Sequence, residues 1–345
     1  MEILKLQQLR VHYKMKDAIA EAADVEWLNI RSGEMFGLVG ESGCGKSTIA
    51  KAVTRLLSPN GVIHSGEIFF KGRNINRLPE KEFNHIRWKE IAIIPQSAMN
   101  SLDPVYTIRE QIAEALRTHL NSSPEKIHRR IDELMAYVGL NPKRADEYPH
   151  EFSGGMRQRA MIAMALALTP SLIIADEPTT ALDVIMQDQI LTKIQELHKT
   201  FGMSMLLITH DIAVVAQMCD RMAVMYGGKI MELGDVRDIF RRPGHPYTIG
   251  LQKAFPSVRG RTEKLVSIPG SPPNLRHPPA GCRFFERCPW AIDLCKQEST
   301  LKKIDDGHFS ACQRVKNIEE FRHEAKDISI WQRSQAAQIS MRRRG

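Results

Sequence analysis

Gly40-Glu41-Ser42-Gly43-Cys44-Gly45-Lys46-Ser47 is the stretch that decides the fold of this chain. It fits the pattern G-x-x-x-x-G-K-S/T at every fixed position. An apolar run typical of a strand, Met35–Val39, comes before it, and a helical pattern from Ser47 to Leu57 comes after it. A glycine-rich turn between a strand and a helix can point its backbone N–H groups inward at phosphate oxygens. The stretch therefore predicts a phosphate-binding loop in an α/β fold.

Each residue type in this loop suits the binding of a nucleotide triphosphate. Lys46 would place a full positive charge on the β- and γ-phosphates, and the Ser47 hydroxyl would ligate Mg²⁺. The start of the following helix adds a partial positive charge at the same place. The residues predicted to contact ATP from this loop are Gly40, Glu41, Ser42, Gly43, Cys44, Gly45, Lys46, Ser47 and Thr48.

A second apolar run ends in two carboxylates. Leu172–Asp176 is short and continuously apolar up to its last residue, which is typical of a strand buried on both faces of a parallel sheet. Asp176 is predicted to lie beside the phosphate loop and to hold Mg²⁺ through water. Glu177, the next residue, is placed to polarise an attacking water as a general base. Taken alone, the pair fits a strand end that turns into solvent equally well.

Phe152–Arg159 carries the strongest resemblance to a known family. It resembles the signature sequence of ATP-binding-cassette (ABC) ATPases, with Phe152 and Met156 in place of the usual Leu and Gln. Such a Ser-Gly-Gly segment opens a helix and forms a second anion site. The resemblance implies a head-to-tail dimer in which each subunit completes the ATP site of the other. The residues assigned to this half-site in trans are Ser153, Gly154, Gly155 and Met156.

Three further motifs follow in the order of the same family. The segment 93–96 resembles the Q-loop, 181–183 resembles the D-loop, and 207–211 resembles the strand that carries the switch histidine. The resemblance implies that Gln96 reaches Mg²⁺ and the attacking water and that Asp183 crosses the dimer interface. The residues that it makes catalytic are Glu177, Gln96 and His210.

Tyr13 is the candidate for stacking on the adenine ring of ATP. It lies near the end of the first predicted strand. The alternative is a half-buried strand aromatic, because the stretch from Lys14 to Asp24 shifts the usual spacing.

The sequence pattern changes along the chain and predicts its domains. From about 97 to 152, apolar residues recur at helical spacing, which predicts an α-helical subdomain. After Phe240 the chain is rich in proline, which predicts a linker or an irregular appendage. The expected boundaries are 1–250 for the ATPase domain, 251–330 for the C-terminal region and 331–345 for a tail. With the resemblance, the fold class is α/β: a P-loop NTPase cassette with a RecA-like parallel-sheet core, an antiparallel β subdomain, the helical subdomain and a small Cys-rich appendage.

Four cysteines lie close together in the C-terminal region, at the spacing C-x5-C-x6-C-x16-C. Zinc sites usually pair their ligands more closely, and wide spacing suits a cubane iron–sulfur cluster. The segment 281–289 resembles an element of oligopeptide and dipeptide importer ATPases, some of which carry a 4Fe-4S cluster. A structural 4Fe-4S cluster is therefore predicted, with zinc, two buried cysteine pairs and ordinary core thiols as the alternatives. Its ligands would be Cys282, Cys288, Cys295 and Cys312.

Composition and hydropathy narrow the class of protein. The chain has 48 Lys and Arg against 40 Asp and Glu, and the net charge of +8 is spread along the sequence. Such an excess fits an anionic ligand or a membrane surface without requiring nucleic acid. The longest apolar run, 160–168, is far shorter than the roughly 20 residues that span a bilayer. The first residues carry a charge where a signal peptide needs an apolar stretch, so a peripheral protein is expected.

The resemblance implies an ATP-hydrolysing subunit of an importer, most directly for di- or oligopeptides, with ATP and Mg²⁺ as ligands. It would act by ATP-driven dimer closure as a peripheral protein at the cytoplasmic face of the inner membrane. The implied partners are a homologous second ATPase subunit in a heterodimer, two transmembrane permease subunits and, through the permease, an extracytoplasmic peptide-binding protein, with no nucleic acid.

Three other functions are weighed against peptide import. Nickel or another small solute is the alternative within transport. A soluble ABC ATPase acting on nucleic acid or ribosomes is disfavoured, because such proteins typically carry two cassettes or a long coiled-coil insertion, and this chain has neither. A non-hydrolysing regulatory subunit is disfavoured by the joint presence of Glu177, Gln96 and His210.

Overall fold

The computed structural model describes residues 1–96, 101–180, 182–254 and 268–331. Parts of four predictions lie outside the described residues. They are the start of the helical subdomain at 97–100, Ala181 of the D-loop motif, the segment 255–267 of the C-terminal region and all but the first residue of the tail at 331–345.

The described residues form strands, helices and short 3₁₀ turns. Strands β1 to β12 are Glu2–Lys14, Ile19–Arg31, Met35–Val39, Gly61–Phe70, Arg73–Asn74, Ile91–Ile94, Leu172–Asp176, Ser204–Thr209, Arg221–Tyr226, Lys229–Asp235, Lys302–Asp305 and His308–Ser310. Helices α1 to α10 are Lys46–Thr54, Glu80–Asn84, Ile108–His119, Pro124–Tyr137, Gly154–Ala165, Val184–Phe201, Ile212–Met218, Val236–Arg241, Pro246–Lys253 and Ile318–Glu324. The 3₁₀ turns are Pro142–Asp146, Pro149–Glu151, Phe285–Arg287, Asp293–Lys296 and Val315–Asn317.

The chain folds into two compact units, each assembled from separate stretches. The first unit consists of Met1–Leu4, Asn29–Met35 and Phe69–Ile208. The second unit consists of Lys5–Leu28, Phe36–Ile68 and Thr209–Gly345.

The first unit is built around the parallel strands β6, β7 and β8. Ile91 of β6 lies opposite Leu172 of β7, and Leu172 in turn lies opposite Ser204 of β8. Every residue of β7 and β8 is buried, as expected for strands covered on both faces. The carboxyl ends of parallel strands meet at one edge of a sheet, which is where α/β folds place their ligands. The chain that follows β6 and the chain that follows β7 therefore emerge at the same edge.

The first unit also contains the helices expected between 97 and 152. Helix α3 begins with a capping box, in which the Thr107 side chain accepts from the Glu110 N–H and the Glu110 carboxylate accepts from the Thr107 N–H. Arg109 of α3 donates to Asp132 of α4 (3.1 Å) and to Asp146 (2.6 Å). These ion pairs and the buried apolar faces of α3 and α4 hold the helices together.

The second unit contains two sheets. In one sheet β1 lies between β2 and β4. In the other, β3 runs parallel to β9, with Val39 opposite Val224, and β9 and β10 form a hairpin through Gly227 and Gly228. The mixture of parallel and antiparallel sheets with helices confirms the α/β class. Within the described ranges, every helix is too short or too polar to cross a lipid bilayer.

The C-terminal region adds strands to the sheet of the second unit. Ser310 of β12 lies opposite Glu232 of β10, and β11 pairs with β12 on its other side. Glu232 is fully buried there and accepts hydrogen bonds from the N–H groups of Gly244 (2.6 Å) and His245 (2.9 Å). His308 Nε2 lies 2.7 Å from the same carboxylate. The strands β11 and β12 were not predicted, because runs of four and three residues are too short to show an alternating pattern.

Candidate functional site

The loop between β3 and α1 has a backbone that only glycine adopts easily. Gly43 and Gly45 have φ angles of 78° and 106°, in the left-handed region. Gly45 also lies so close to β2 that a Cβ atom would overlap the carbonyl oxygen of Ala22. The motif fixes a glycine at position 45, and the observed curl of the loop requires glycine there and favours it at position 43.

Lys46 lies inside the curl of this loop. Its side chain is buried, and its Nζ donates to the carbonyl oxygens of Gly40 (2.7 Å) and Glu41 (3.1 Å). A buried ammonium group needs such partners, because transfer out of water is costly otherwise. Lys46 is also the first residue of α1, so the N–H groups of Lys46, Ser47 and Thr48 belong to the helix turn that lacks intrahelical acceptors. One positive side chain and several backbone donors thus meet in the loop.

Glu41 is held by residues that the sequence analysis missed. Its N–H donates to the Tyr247 hydroxyl (3.0 Å), and its carboxylate accepts from Arg287 (2.7 Å). No local pattern could have predicted these partners, because they lie 206 and 246 residues away in the sequence.

The structure brings two of the predicted catalytic residues together in the first unit. Glu177 follows the buried Asp176 at the end of β7, and its carboxylate accepts hydrogen bonds from Gln96 Nε2 (3.1 Å) and Thr180 Oγ1 (2.8 Å). Its φ angle of 48° is unusual for a residue with a side chain, and its N–H donates to the carbonyl of Ile208 (2.8 Å). The hydrogen bond of the Glu177 N–H and the two hydrogen bonds to its carboxylate together fix the orientation of this residue.

The predicted signature segment opens helix α5. The Ser153 hydroxyl caps this helix by accepting from the Met156 N–H (3.4 Å), and Asp183 caps α6 in the same way through the Met186 N–H (2.9 Å). A Cβ atom on Gly155 would overlap the methyl group of Met186, so glycine lets the starts of α5 and α6 approach each other. The start of α6 also exposes two large apolar residues, Val184 and Ile185.

His210 and Tyr13 both lie at strands, as their positions in the sequence indicate. His210 is exposed and directly follows β8, and Asp211 caps α7 by accepting from the Ala213 N–H (2.8 Å). Tyr13 is half-buried in β1, with its ring against Gly61 of β4. The roles of His210 at the γ-phosphate and of Tyr13 at the adenine remain predictions.

The four clustered cysteines line one cavity in the second unit, together with His245 and several aromatic side chains. Burial raises the pKa of Cys282 to about 11 and that of Cys312 to about 12, and it raises the pKa of Cys288 well above the ordinary value. Burial also lowers the pKa of His245 to about 3. The cavity is therefore surrounded by neutral thiols and a neutral imidazole.

The prediction of an iron–sulfur or other metal centre is wrong. Among the residues that the structure describes, no three His, Cys, Asp or Glu side chains are arranged so that they could hold a metal ion. The clustered four cysteines form no disulfide and correspond to the alternative of ordinary core thiols.

Comparison with known proteins establishes the family. Residues 25–180 match the ABC transporter family, and residues 231–295 match the C-terminal region of oligopeptide/dipeptide transporters. The chain is 45% identical over 320 residues to the oligopeptide transport ATP-binding protein OppD of Escherichia coli, which covers 92% of this chain and 94% of that protein. This chain belongs to the ABC transporter ATP-binding family. It is also 41% identical over 298 residues to the dipeptide transport ATP-binding protein DppD of Caldanaerobacter subterraneus, with 86% of this chain and 91% of that protein covered.

Solved structures of ABC cassettes share the fold. The dimeric cassette MJ0796, in a post-hydrolysis state with ADP and Pi, matches with a TM-score of 0.61 and 31% identity, over 68% of this chain and 99% of that one. Subunit cbiO1 of the Clostridium perfringens transporter complex cbiONQ matches with a TM-score of 0.60 and 28% identity, over 70% of this chain and 91% of that one. These likenesses confirm the predicted P-loop ABC cassette.

Proposed function

We propose that this ABC subunit hydrolyses ATP to drive the import of di- or oligopeptides. One observation carries the proposal: the likeness to a peptide-transport subunit extends over 92% of the chain and includes the C-terminal region. Nickel or another small solute is the alternative in the test below. None of the relatives named above is named for nickel or for nucleic acid.

The phosphate loop is proposed to bind ATP and Mg²⁺. The residues present fit this ligand, because Lys46 and the first N–H groups of α1 converge in one buried curl. Lys46 would contact the β- and γ-phosphates, Ser47 would ligate the metal, and Asp176 would reach it through water. Mg²⁺ would neutralise charge on the phosphates. The remaining loop contacts and the stacking of Tyr13 on adenine are proposed as predicted from the sequence.

Glu177 is proposed as the general base. Its carboxylate would accept a proton from the water that attacks the γ-phosphorus, and the bond to the β-phosphate oxygen would break to release ADP and phosphate. The hydrogen bond from Gln96 fixes the carboxylate in one direction, which suits a base that must meet its water in a defined geometry. His210 would contact the γ-phosphate.

The proposed partners follow from the incomplete site that one ABC subunit provides. The capped start of α5, with Ser153, Gly154, Gly155 and Met156, would complete the ATP site of a homologous second ATPase subunit, and Asp183 would lie at that interface. The exposed Val184 and Ile185 support a protein contact beside it. Two permease subunits and an extracytoplasmic peptide-binding protein would complete the importer. This subunit would be peripheral at the cytoplasmic face of the membrane.

The test combines hydrolysis by the purified chain with uptake by cells. Cells without the gene would receive the wild type, Glu177→Gln or the matched control Glu196→Gln, which changes an exposed carboxylate on α6. We expect Glu177→Gln to lower ATP hydrolysis at least about tenfold without weakening ATP binding, and to abolish uptake of a labelled tripeptide. Glu196→Gln should behave as the wild type.

Two outcomes would contradict separate parts of the proposal. Unchanged ATP turnover in Glu177→Gln would remove the general-base role. Restoration of radioactive nickel uptake, without restoration of tripeptide uptake, would assign the subunit to a different solute.

A further inference from the structure

Arg287 of the C-terminal region reaches the phosphate loop. It ends the 3₁₀ turn Phe285–Arg287 and is only 4% exposed. A buried guanidinium needs several acceptors in a fixed plane, and Arg287 has four. Its partners are the carbonyl oxygens of Ile268 (3.0 Å) and Pro269 (2.9 Å), the hydroxyl of Tyr226 (3.0 Å) and the carboxylate of Glu41 (2.7 Å).

The four hydrogen-bond partners of Arg287 belong to two different parts of the chain. Ile268 and Pro269 belong to the C-terminal region itself, so they anchor the guanidinium there. Tyr226 ends β9, and Glu41 is the second residue of the phosphate loop. The guanidinium also lies over the ring of Tyr226, 5.5 Å from its centroid. Because the guanidinium is planar and rigid, fixing one side of Arg287 fixes where the other side holds Glu41.

Tyr247 holds the backbone of the same loop residue. Its hydroxyl accepts the hydrogen bond from the Glu41 N–H, and its side chain is completely buried. The ring packs against the rings of Tyr226 (4.6 Å between centroids) and Phe284 (5.3 Å). Glu41 is therefore held at three groups: its carboxylate by Arg287, its N–H by Tyr247 and its carbonyl by Lys46.

The negative charge of Glu41 affects how strongly the loop would bind the phosphates of ATP. A carboxylate in a loop that binds phosphates would repel them and would weaken binding. Arg287 places a positive charge against it, and both side chains are shielded, at 5% and 25% exposure, so salt screens the pair less than an exposed pair. Arg287 thus compensates the carboxylate and fixes its position at the same time.

We propose that Arg287 is a positioning residue for the phosphate loop, through which the C-terminal region sets the affinity of the cassette for ATP. Arg287 acts through Glu41 and does not touch the nucleotide. Tyr247 supports the same residue from its backbone side. The proposal rests on the proposed binding of ATP at this loop.

A double-mutant cycle on the full-length chain tests the proposal. The variants are Arg287→Gln, Glu41→Gln and the double variant. The matched control is Arg283→Gln, which removes an equally buried guanidinium from the same region, where Arg283 donates to Glu21 (3.0 Å). The measurements are the Kd for ATP, KM and kcat of hydrolysis, and the thermal midpoint.

We expect Arg287→Gln to raise the Kd and KM for ATP about tenfold, the effect of losing one charge-assisted hydrogen bond, while kcat changes less than about twofold. In the Glu41→Gln background the same change should raise Kd less than about threefold, because the carboxylate to be compensated is gone. Arg283→Gln should leave Kd unchanged even if it lowers the thermal midpoint.

Equal effects of Arg287→Gln and Arg283→Gln on Kd would overturn the proposal, as would additive effects of Arg287→Gln and Glu41→Gln. If Arg287→Gln does not fold, Tyr247→Phe decides. Deleting only the hydroxyl that holds the Glu41 N–H should raise Kd about threefold, and an unchanged Kd would overturn the inference that the position of Glu41 sets the affinity for ATP. A wild-type chain that binds no ATP would instead contradict the proposed function.

Discussion

Replacing Gly45 by alanine should damage the protein more than the same replacement of Gly43, although both glycines lie in one loop. Both residues have left-handed backbones, but their surroundings differ. Among the described residues, apart from Gly43 and its two chain neighbours, no heavy atom lies within 4 Å of the position that a Cβ would take on Gly43. On Gly45 the added Cβ would overlap the backbone carbonyl of Ala22, which a side-chain rotation cannot relieve.

The expected losses of stability follow from the left-handed backbone of both residues and from the overlap of the added Cβ on Gly45 with Ala22. A left-handed backbone costs a non-glycine residue about 1–2 kcal/mol, and this is the whole expected loss for Gly43→Ala. For Gly45→Ala the overlap with β2 adds about 1–3 kcal/mol, as for overpacking elsewhere. Its φ of 106° and ψ of 1° also lie away from the left-handed helical minimum near 57° and 47°, so the backbone term will not be smaller than at Gly43.

The assay is thermal unfolding of the two variants and the wild type, together with the Kd for ATP. At about 2–4 °C per kcal/mol, Gly45→Ala should unfold roughly 2–12 °C below Gly43→Ala. Gly45→Ala should also bind ATP more weakly, since moving residue 45 moves the start of α1. Equal unfolding temperatures, or a milder effect at Gly45, would refute the argument from the contact with Ala22.

Three further predictions concern other parts of the molecule. Lys46→Ala should weaken ATP binding at least about tenfold, because it deletes the buried charge in the loop. Lys51→Ala, on the exposed face of α1, should leave ATP binding unchanged. Equal Kd values for the two variants would contradict the assignment of the phosphate loop. Ser153→Ala should impair hydrolysis only at the ATP site of the other subunit, and mixed dimers that lose activity in cis would reverse this assignment. Cys282 should react with iodoacetamide far more slowly than the partly exposed Cys219 at pH 8. With a pKa of about 11, only about one Cys282 thiol in a thousand is ionised at this pH, so its labelling rate should rise with pH. Rapid labelling of Cys282 at pH 8 would contradict the burial argument.

Features that depend on neighbouring residues were predictable from the sequence. The loop from Gly40 to Ser47 depends on glycine conformations and on a helix start, both of which are local. Helix α1 begins within one residue of the predicted start but ends at Thr54 rather than Leu57, because Arg55 takes a left-handed conformation and closes the helix. The buried strand β7 was predicted from its apolar run.

Features that depend on distant residues were decided by the tertiary structure alone. The pairing of β12 with β10 joins Ser310 to Glu232, and such short strands become stable only beside an existing sheet edge. The contact between Gln96 and Glu177 was not predicted, although the resemblance to ABC ATPases makes both residues catalytic. It arises because two parallel strands end at one edge of the sheet.

The four clustered cysteines and Arg287 show most clearly why contacts between residues far apart in the sequence are decided only by the folded chain. Spacing along the chain indicated that the four thiols could meet, and they do line one cavity, but among the described residues their side chains are not arranged so that they could hold a metal ion. Arg287 stands beside Cys288 in the sequence and carries no local sign of its role. Its partner Glu41 is found 246 residues away, and only the folded chain brings the two charges within hydrogen-bonding distance.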